Sequence, residues 1–439
     1  MRFRRPLYLF ATLALQFVVA YGGSPFGEKN VIDSAGPSVT TVDVADLDGD
    51  GHDDVLVCSY NDRQVGWYRN GLCEGSGFEP LKTIVLSTAA SPYYVSGEDM
   101  DRDGFVDILV GSYAFEELPF YIYYNDGTGQ FSEVSIVNAS VTSWDAGDMD
   151  GDGDMDVVAA NYFFNEIVWF RNEGGRTFSK HTLGASVSMP VAVVLSDFDG
   201  DGMLDAAAKG WDIGEVVWYR NEGGGVFGGV QLISDRNNTY GTGLHLRDMN
   251  NDGILDLLVC SGTSTGWYQS FGNGSFNGQK EIQDGMSLNN VDAADVDGDG
   301  DMDVVGGTST EVFSFENLGN GSYAVQQVDA QGANAVFLRD LDGDGRADFG
   351  ALMDGSWWYN NLQGEPISPE AALGGVEWSP FAIWLPCTCW DILKPNWRVP
   401  YLKALFVAVS GMIPLIARRP QLHVAASRGG MPKTACGGK

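Results

Sequence analysis

The sequence predicts an all-β fold: a seven-bladed β-propeller closed by its N-terminal strand, with an irregular C-terminal extension. Three observations carry this. One aspartate-rich nonapeptide recurs seven times, beginning at Asp46, Asp99, Asp148, Asp197, Asp248, Asp295 and Asp340, at spacings of 53, 49, 49, 51, 47 and 45 residues. Those spacings suit a four-stranded blade better than a solenoid turn of about 20–30 residues. Each unit repeats one order of strand-like segments, and the two ends of the repeat region complement each other.

Within a unit, an alternating segment such as VAVVLS at 191–196 leads into the aspartate loop, and a β-branched or aliphatic run such as VVAA at 157–160 or LLVC at 257–260 leaves it. An aromatic strand such as VVWY at 216–219 follows. These read as three strands by period and composition. A turn of the type NEGGG at 221–225 or NLGNG at 317–321 comes next, whose Asn and Gly tolerate positive φ. A fourth strand headed by an aromatic, Phe227 or Tyr323, ends the unit. We label the strands A to D, with the aspartate loop between A and B. The seventh unit stops after its third strand, SWWYNN at 356–361, while FGEKNVI at 26–32 lines up with the fourth strand FSKHTL at 178–183. The N-terminus is therefore expected to supply the missing strand and remove a raw edge. The repeat domain spans 24–362.

Residues 1–23 read as a signal peptide: Arg2, Arg4 and Arg5 precede an apolar stretch over 7–20, and small residues follow at Gly22, Gly23 and Ser24. The apolar stretch is short for a span of about 20 residues. A secreted or cell-surface location follows. Six cysteines are too few for a disulfide scaffold, and none has zinc-site spacing; Cys58 with Cys73 is the one pair expected to bridge. The formal charge of -33 argues against DNA, RNA or an anionic membrane as partner. The 44% hydrophobic content argues against a disordered acidic chain.

Each nonapeptide places side-chain oxygens at positions 1, 3, 5 and 9, with Gly at position 6. The sets are Asp46, Asp48, Asp50 and Asp54; Asp99, Asp101, Asp103 and Asp107; Asp148, Asp150, Asp152 and Asp156; Asp197, Asp199, Asp201 and Asp205; Asp248, Asn250, Asp252 and Asp256; Asp295, Asp297, Asp299 and Asp303; and Asp340, Asp342, Asp344 and Asp348. Calcium takes six to eight oxygens at about 2.3–2.6 Å, and a tight loop of alternating carboxylates can wrap one ion. Up to seven structural Ca2+ ions are expected. An EF-hand needs a Glu at position 12; the first three units have Val57, Val110 and Ala159 there. The charge over 25–362 is -40, which seven divalent ions would reduce to -26.

DxDGDGxxD feeding an apolar strand and then WYxNxGxGxF resembles the FG-GAP/VCBS repeat of calcium-binding β-propellers, related to integrin α heads and some lectins. All seven units match. The resemblance implies calcium at the residues named above and, as common uses, extracellular adhesion or carbohydrate binding, without fixing one function.

In a blade the A–B and C–D loops share one face, so the opposite face, formed by B–C loops and D–A connections, is where a ligand is sought. Fourteen residues after each first aspartate stand Tyr60, Tyr113, Tyr162 and Trp211, then Gly262, Ser309 and Asp354. The four aromatics form the candidate ligand-binding arc for a glycan or a protein loop, with Tyr93, Tyr94 and Tyr240 near the same face. The competing assignment is that they cap strand ends and pack between blades. The recurring tryptophans Trp67, Trp169, Trp218, Trp267 and Trp358 read as packing residues. A monomer is expected, acting as an extracellular recognition or adhesion module.

The rival is a calcium-dependent polysaccharide lyase or hydrolase on the same fold, since two carboxylates at suitable separation suffice for glycosidase chemistry. There are four histidines and no H-E-x-x-H, so no catalytic residue is assigned. N-glycosylation sequons stand at Asn138, Asn237, Asn273 and Asn320. After residue 362 the repeat ends, and 363–439 holds four acids against eight bases. Its apolar stretch at 402–417, followed by Arg418 and Arg419, is short for a span; a membrane anchor, a poorly ordered extension and a gene-model artefact are the alternatives.

Overall fold

A computed structural model describes residues 26–84, 92–113, 119–138, 141–184, 187–235, 243–262 and 264–361. The chain divides into units 1–364 and 365–439, and every described residue belongs to the first. The signal peptide, the C-terminal extension, Tyr240 and the Asn237 sequon lie outside the described residues. No described helix is long and apolar enough to cross a membrane.

Seven antiparallel sheets follow one another, strands A to D in hydrogen-bonded order. Blade one is Thr41–Ala45, Asp54–Ser59, Gln64–Tyr68 and Lys82–Ile84; blade two is Pro92–Glu98, Asp107–Ser112, Pro119–Asn125 and Phe131–Asn138. Blade three is Val141–Gly147, Asp156–Asn161, Glu166–Asn172 and Phe178–Thr182; blade four is Pro190–Ser196, Asp205–Gly210, Val216–Tyr219 and Gln231–Ser234. Blade five is Leu244–Arg247, Asp256–Cys260, Ser264–Tyr268 and Lys280–Asp284; blade six is Asn290–Ala294, Asp303–Gly307, Val312–Asn317 and Tyr323–Asp329. Blade seven has Ala335–Arg339 as strand A and one long segment, Asp348–Asn361, serving as B and C. Its outer strand is Phe26–Ser38, with Phe26 opposite Asn361 and Asn30 opposite Trp358. The ends of the repeat region therefore close the ring as the sequence predicts.

Strand alternation sends one set of side chains to each neighbouring blade, and the core is divided accordingly. Seven buried apolar clusters lie one per seam. The recurring tryptophans are part of them: Trp67, Trp169, Trp218, Trp267 and Trp358 are all buried, as their packing assignment requires. The second residue of each loop (Leu47, Met100, Met149, Phe198, Met249, Val296, Leu341) is buried too. A strands of successive blades touch one another and ring the axis.

One local expectation is corrected. Cys58 and Cys73 do not bridge: Cys58 is packed in the seam between blades one and two, while the Cys73 thiol donates to the Asp342 carbonyl at 3.2 Å. The turn asparagines Asn221, Asn317 and Asn320 do not take positive φ; the glycines do, with Gly223, Gly224 and Gly225 at +89°, +59° and +76°. Asn221 serves a different purpose. Its Nδ2 donates to the Met149 carbonyl of blade three at 2.7 Å and to the Leu204 carbonyl at 3.0 Å. Asn70, Asn125 and Asn361 make the same cross-blade bond, to Leu341, Leu47 and Val296.

Candidate functional site

The aspartate loops share one geometry. Position 1 caps its own loop: Asp46 accepts N–H bonds from Gly49 at 2.8 Å, Asp50 at 3.1 Å and Gly51 at 2.8 Å. Asp197 and Asp340 repeat the pattern. This turn needs left-handed backbone at position 6, where all seven residues are glycine with φ between +84° and +98°. Position 9 is buried. Asp54 accepts from Leu47 N–H at 3.0 Å and Asn70 N–H at 2.8 Å, and the other six loops match it.

Carboxylates converge between these framing groups. Oxygens of Asp46, Asp48 and Asp50 lie within 4.8 Å of one another, as do trios in the second, third, fourth and sixth loops. Burial pushes the Asp54, Asp107, Asp303 and Asp348 carboxyls up to about 7 against the pull of their backbone N–H bonds, with the position 3 and position 5 carboxylates pushing the same way. Asp156, Asp205 and Asp256 rise to about 6 for the same first reason. In loop one the buried Oδ1 of Asp48 makes no hydrogen bond. An all-oxygen, acid-rich donor set with an orphaned buried oxygen fits a hard divalent cation.

The outer oxygens already meet side chains. Arg69 reaches Asp48 and Asp50, both at 2.6 Å; Arg171 reaches Asp150 at 2.6 Å; Arg220 reaches Asp199 at 2.5 Å. Blade six carries Glu316 at the equivalent place, and Ser314 where most blades have the strand C tryptophan.

On the opposite face the predicted arc is assembled. Tyr60 meets Tyr113 edge-on with centroids 6.4 Å apart, and Tyr113 meets Tyr162 at 5.7 Å. Tyr93 tilts onto Tyr113 at 4.9 Å. Phe163, which the sequence reading did not single out, touches Tyr113 at 4.9 Å and Tyr162 at 5.0 Å. It sits on a single 3-10 turn, Tyr162–Phe164, at the B–C connection of blade three. Trp211 extends the rim, its N–H on the Met189 carbonyl at 2.9 Å. Tyr94 also lines the axial cavity, and its ring packs edge-on against Trp144 at 4.7 Å.

Inside the rim lies an axial cavity of about 500 Å³, lined by strand A residues or the residues leading into them from all seven blades. Tyr93, Tyr113, Tyr162, Trp211, Asn289 and Asn334 line it toward the rim; Asp43 and Asp292, midway along their A strands, and Arg247 and Arg339, at the strand ends that lead into the aspartate loops, line its floor, the end away from the rim. Arg247 and Arg339 both face Asp292. Burial pushes His245 down to about 4; Asp292 opposes this, and Arg247 and Arg339 add to it. The sequence held a signal for this floor. The residue before the loop aspartate is Ala45, Glu98, Gly147, Ser196 or Ala294 in five blades and arginine only in blades five and seven. A G-x-S-x-G spacing does occur, at 262–266; Ser264 there heads an antiparallel strand rather than a strand-to-helix elbow.

Seven four-stranded sheets around an axis, each with an aspartate loop between its first two strands, define a repeat propeller. A family model described as FG-GAP-like repeat matches residues 46–110, 113–159, 148–208, 197–259, 248–306 and 295–351, more than half of the chain. The chain belongs to that family. Five of the six matches run from one aspartate loop through the next, so together they include all seven loops. A chain in the crystal structure of BBS1N in complex with ARL6DN, soaked with lead, has a TM-score of 0.54 at 13% identity, over 78% of this chain and 98% of that one, which shows the fold alone. A lectin from Agrocybe aegerita, described as recognising non-reducing terminal N-acetylglucosamine, is similar at 20% identity over 65% of this chain and 79% of that one, with a TM-score of 0.46. No curated protein sequence matches.

Proposed function

We propose that this propeller is a calcium-stabilised recognition module, secreted or held at the cell surface, which binds a glycan or an extracellular protein on its aromatic face. The observation that carries this is the unbroken run of ring contacts from Tyr60 and Tyr93 through Tyr113 to Tyr162 and Phe163. At the matching positions of blades five to seven stand Gly262, Ser309 and Asp354. A packing role shared by all blades would recur in all of them, as the strand C tryptophans nearly do; an aromatic patch confined to one side of the axis is what a ligand-facing surface provides. Ca2+ held by the position 1, 3, 5 and 9 residues neutralises each loop and keeps the two faces rigid relative to each other.

Two measurements test this. Thermal unfolding of the full chain should show a melting temperature raised by calcium and lowered reversibly by a chelator, since an ion at 100 times its Kd adds about 2.7 kcal/mol per site. An unchanged melting temperature would withdraw the calcium assignment. A glycan array and a pull-down from extracellular matrix proteins should give binding that the Tyr162→Ala, Trp211→Ala double variant loses; binding that the double variant retains would move the site elsewhere.

A further inference from the structure

The floor of the axial cavity has its acceptors occupied and donors left over. Both Asp43 oxygens take backbone N–H groups, from Val44 and Gly97, each at 2.8 Å. Asp292 takes Ala293 N–H at 2.8 Å and Leu338 N–H at 3.0 Å, and Arg247 besides. These carboxylates tie blade one to blade two and blade six to blade seven. Each nitrogen of Arg247 donates, the remaining two to the Leu246 carbonyl at 2.7 Å and the Ala293 carbonyl at 3.1 Å.

Arg339 differs. It donates once, to the Leu338 carbonyl at 2.8 Å, and stands 3.6 Å from Asp292, with Asp43 and Asp53 also within its electrostatic reach; its side chain lines the cavity and is 40% exposed, and its other N–H groups make no hydrogen bond among the described residues. The buried Nε2 of His245, on the same wall, has no partner either. A cation reaching this floor would find both carboxylates taken. An anionic oxygen would find an open guanidinium fork, and a hydroxyl would find the imidazole.

Above the floor the cavity offers the faces of Tyr93, Tyr113 and Tyr162, surfaces on which the apolar face of a pyranose ring can lie. A ligand satisfying both levels has a flat ring with hydroxyls and a carboxylate at its inner end. We propose that the axial cavity binds the terminal, carboxylate-bearing sugar residue of a glycan, its carboxylate on Arg339 and its ring against the tyrosines. This rests on the recognition reading above and names its ligand class. The charge of -40 over residues 25–362 disfavours a polyanion, so one acidic residue at a chain end is the fitting form, rather than an internal run of uronates.

Calorimetry on the full chain tests the assignment with methyl β-D-glucuronide and the methyl glycoside of N-acetylneuraminic acid, against methyl β-D-glucoside and N-acetylaspartate. At least one acidic glycoside should bind about tenfold or more tightly than the glucoside. Arg339→Gln should cut that preference roughly 10- to 100-fold, the range of a hydrogen bond to a charged group, and Arg339→Lys should keep part of it. The wild-type preference is informative even if a variant fails to fold. Neither acidic glycoside binding more tightly than the glucoside, or a preference unmoved by Arg339→Gln, overturns the proposal. Binding of N-acetylaspartate alone would make the occupant an acidic side chain of a protein and would overturn the sugar assignment. Neutral glycans lost in Tyr113→Ala but kept in Arg339→Gln would leave the recognition reading standing without this one; an array and pull-down with no binding at all would remove both.

Discussion

The asparagine closing strand C shows how much one side chain contributes in a repeat. Asn221 Nδ2 bridges the carbonyls of Met149 and Leu204 while its backbone N–H donates to the buried carboxylate of Asp205 at 2.7 Å. One residue thus joins two blades and fixes one aspartate loop. Removing its amide leaves two buried carbonyls unpaired, which costs about 1–3 kcal/mol each before relaxation. Asn221→Ala is expected to lower unfolding stability by about 2–4 kcal/mol in urea titration; a change within about 0.5 kcal/mol would mean that water replaces the latch. In the sequence this residue looks like turn chemistry, because it opens the Asn-Glu-Gly-Gly-Gly run between two strand-like segments. The accepting carbonyl belongs to the preceding blade, 72 residues away, and no local pattern shows that distance to be short.

At the scale of elements, the C–D hairpin of one blade is seated on the strand C tryptophan of the blade before it. A Cβ at Gly225 would meet the Trp169 ring at 2.7 Å, and one at Gly274 would meet the Trp218 ring at 3.1 Å. Gly225 also has φ of +76°. Gly224 beside it, with φ of +59°, has nothing within 4 Å. Alanine at both positions therefore separates two effects. Gly224→Ala should cost only the left-handed strain, about 1 kcal/mol, and Gly225→Ala should cost about 2 kcal/mol or more because the ring must move as well. Equal melting temperatures for the two variants would show that the hairpin does not bear on Trp169. The glycine-rich turn was legible as a turn. That one of its glycines is a contact surface was not, because the contact joins different repeats.

The whole ring depends on one strand. Phe26–Ser38 pairs with the last strand of blade seven, and Phe26 enters the seam shared with blade six, its ring 5.3 Å from that of Phe349. Without it, the edge of Trp357 and Tyr359 is bare and the last seam loses a wall. Deleting residues 26–33 is expected to give a protein that melts at least about 10 °C lower or that self-associates through the exposed edge, read by thermal unfolding with light scattering. An unshifted, monomeric variant would mean that the ring is held by its seams alone. Because each blade touches only its neighbours, elements far apart in sequence must meet where the ring closes, at the closing strand and at the seam between blades one and seven.

What the sequence determines by itself is the repeat and everything that follows from repetition. Seven loops of fixed internal spacing, the alternation of each strand and the strand missing from one end and present at the other lead to seven blades, because identical segments in series have identical local physics. The loop aspartates were legible for the same reason, as was the aromatic arc, from one position compared across seven units. What only the tertiary structure decides lies where blades meet and where the repeat is broken. Which carbonyl Asn221 reaches, that Cys58 and Cys73 stay apart and that Tyr94 packs against Trp144 of the next blade are questions of spatial neighbours. The axial floor is the clearest case. Arg247 and Arg339 are 92 residues apart in sequence, departures from consensus in two different blades, and they face one carboxylate on Asp292 only because ring closure brings blades five, six and seven around a common axis.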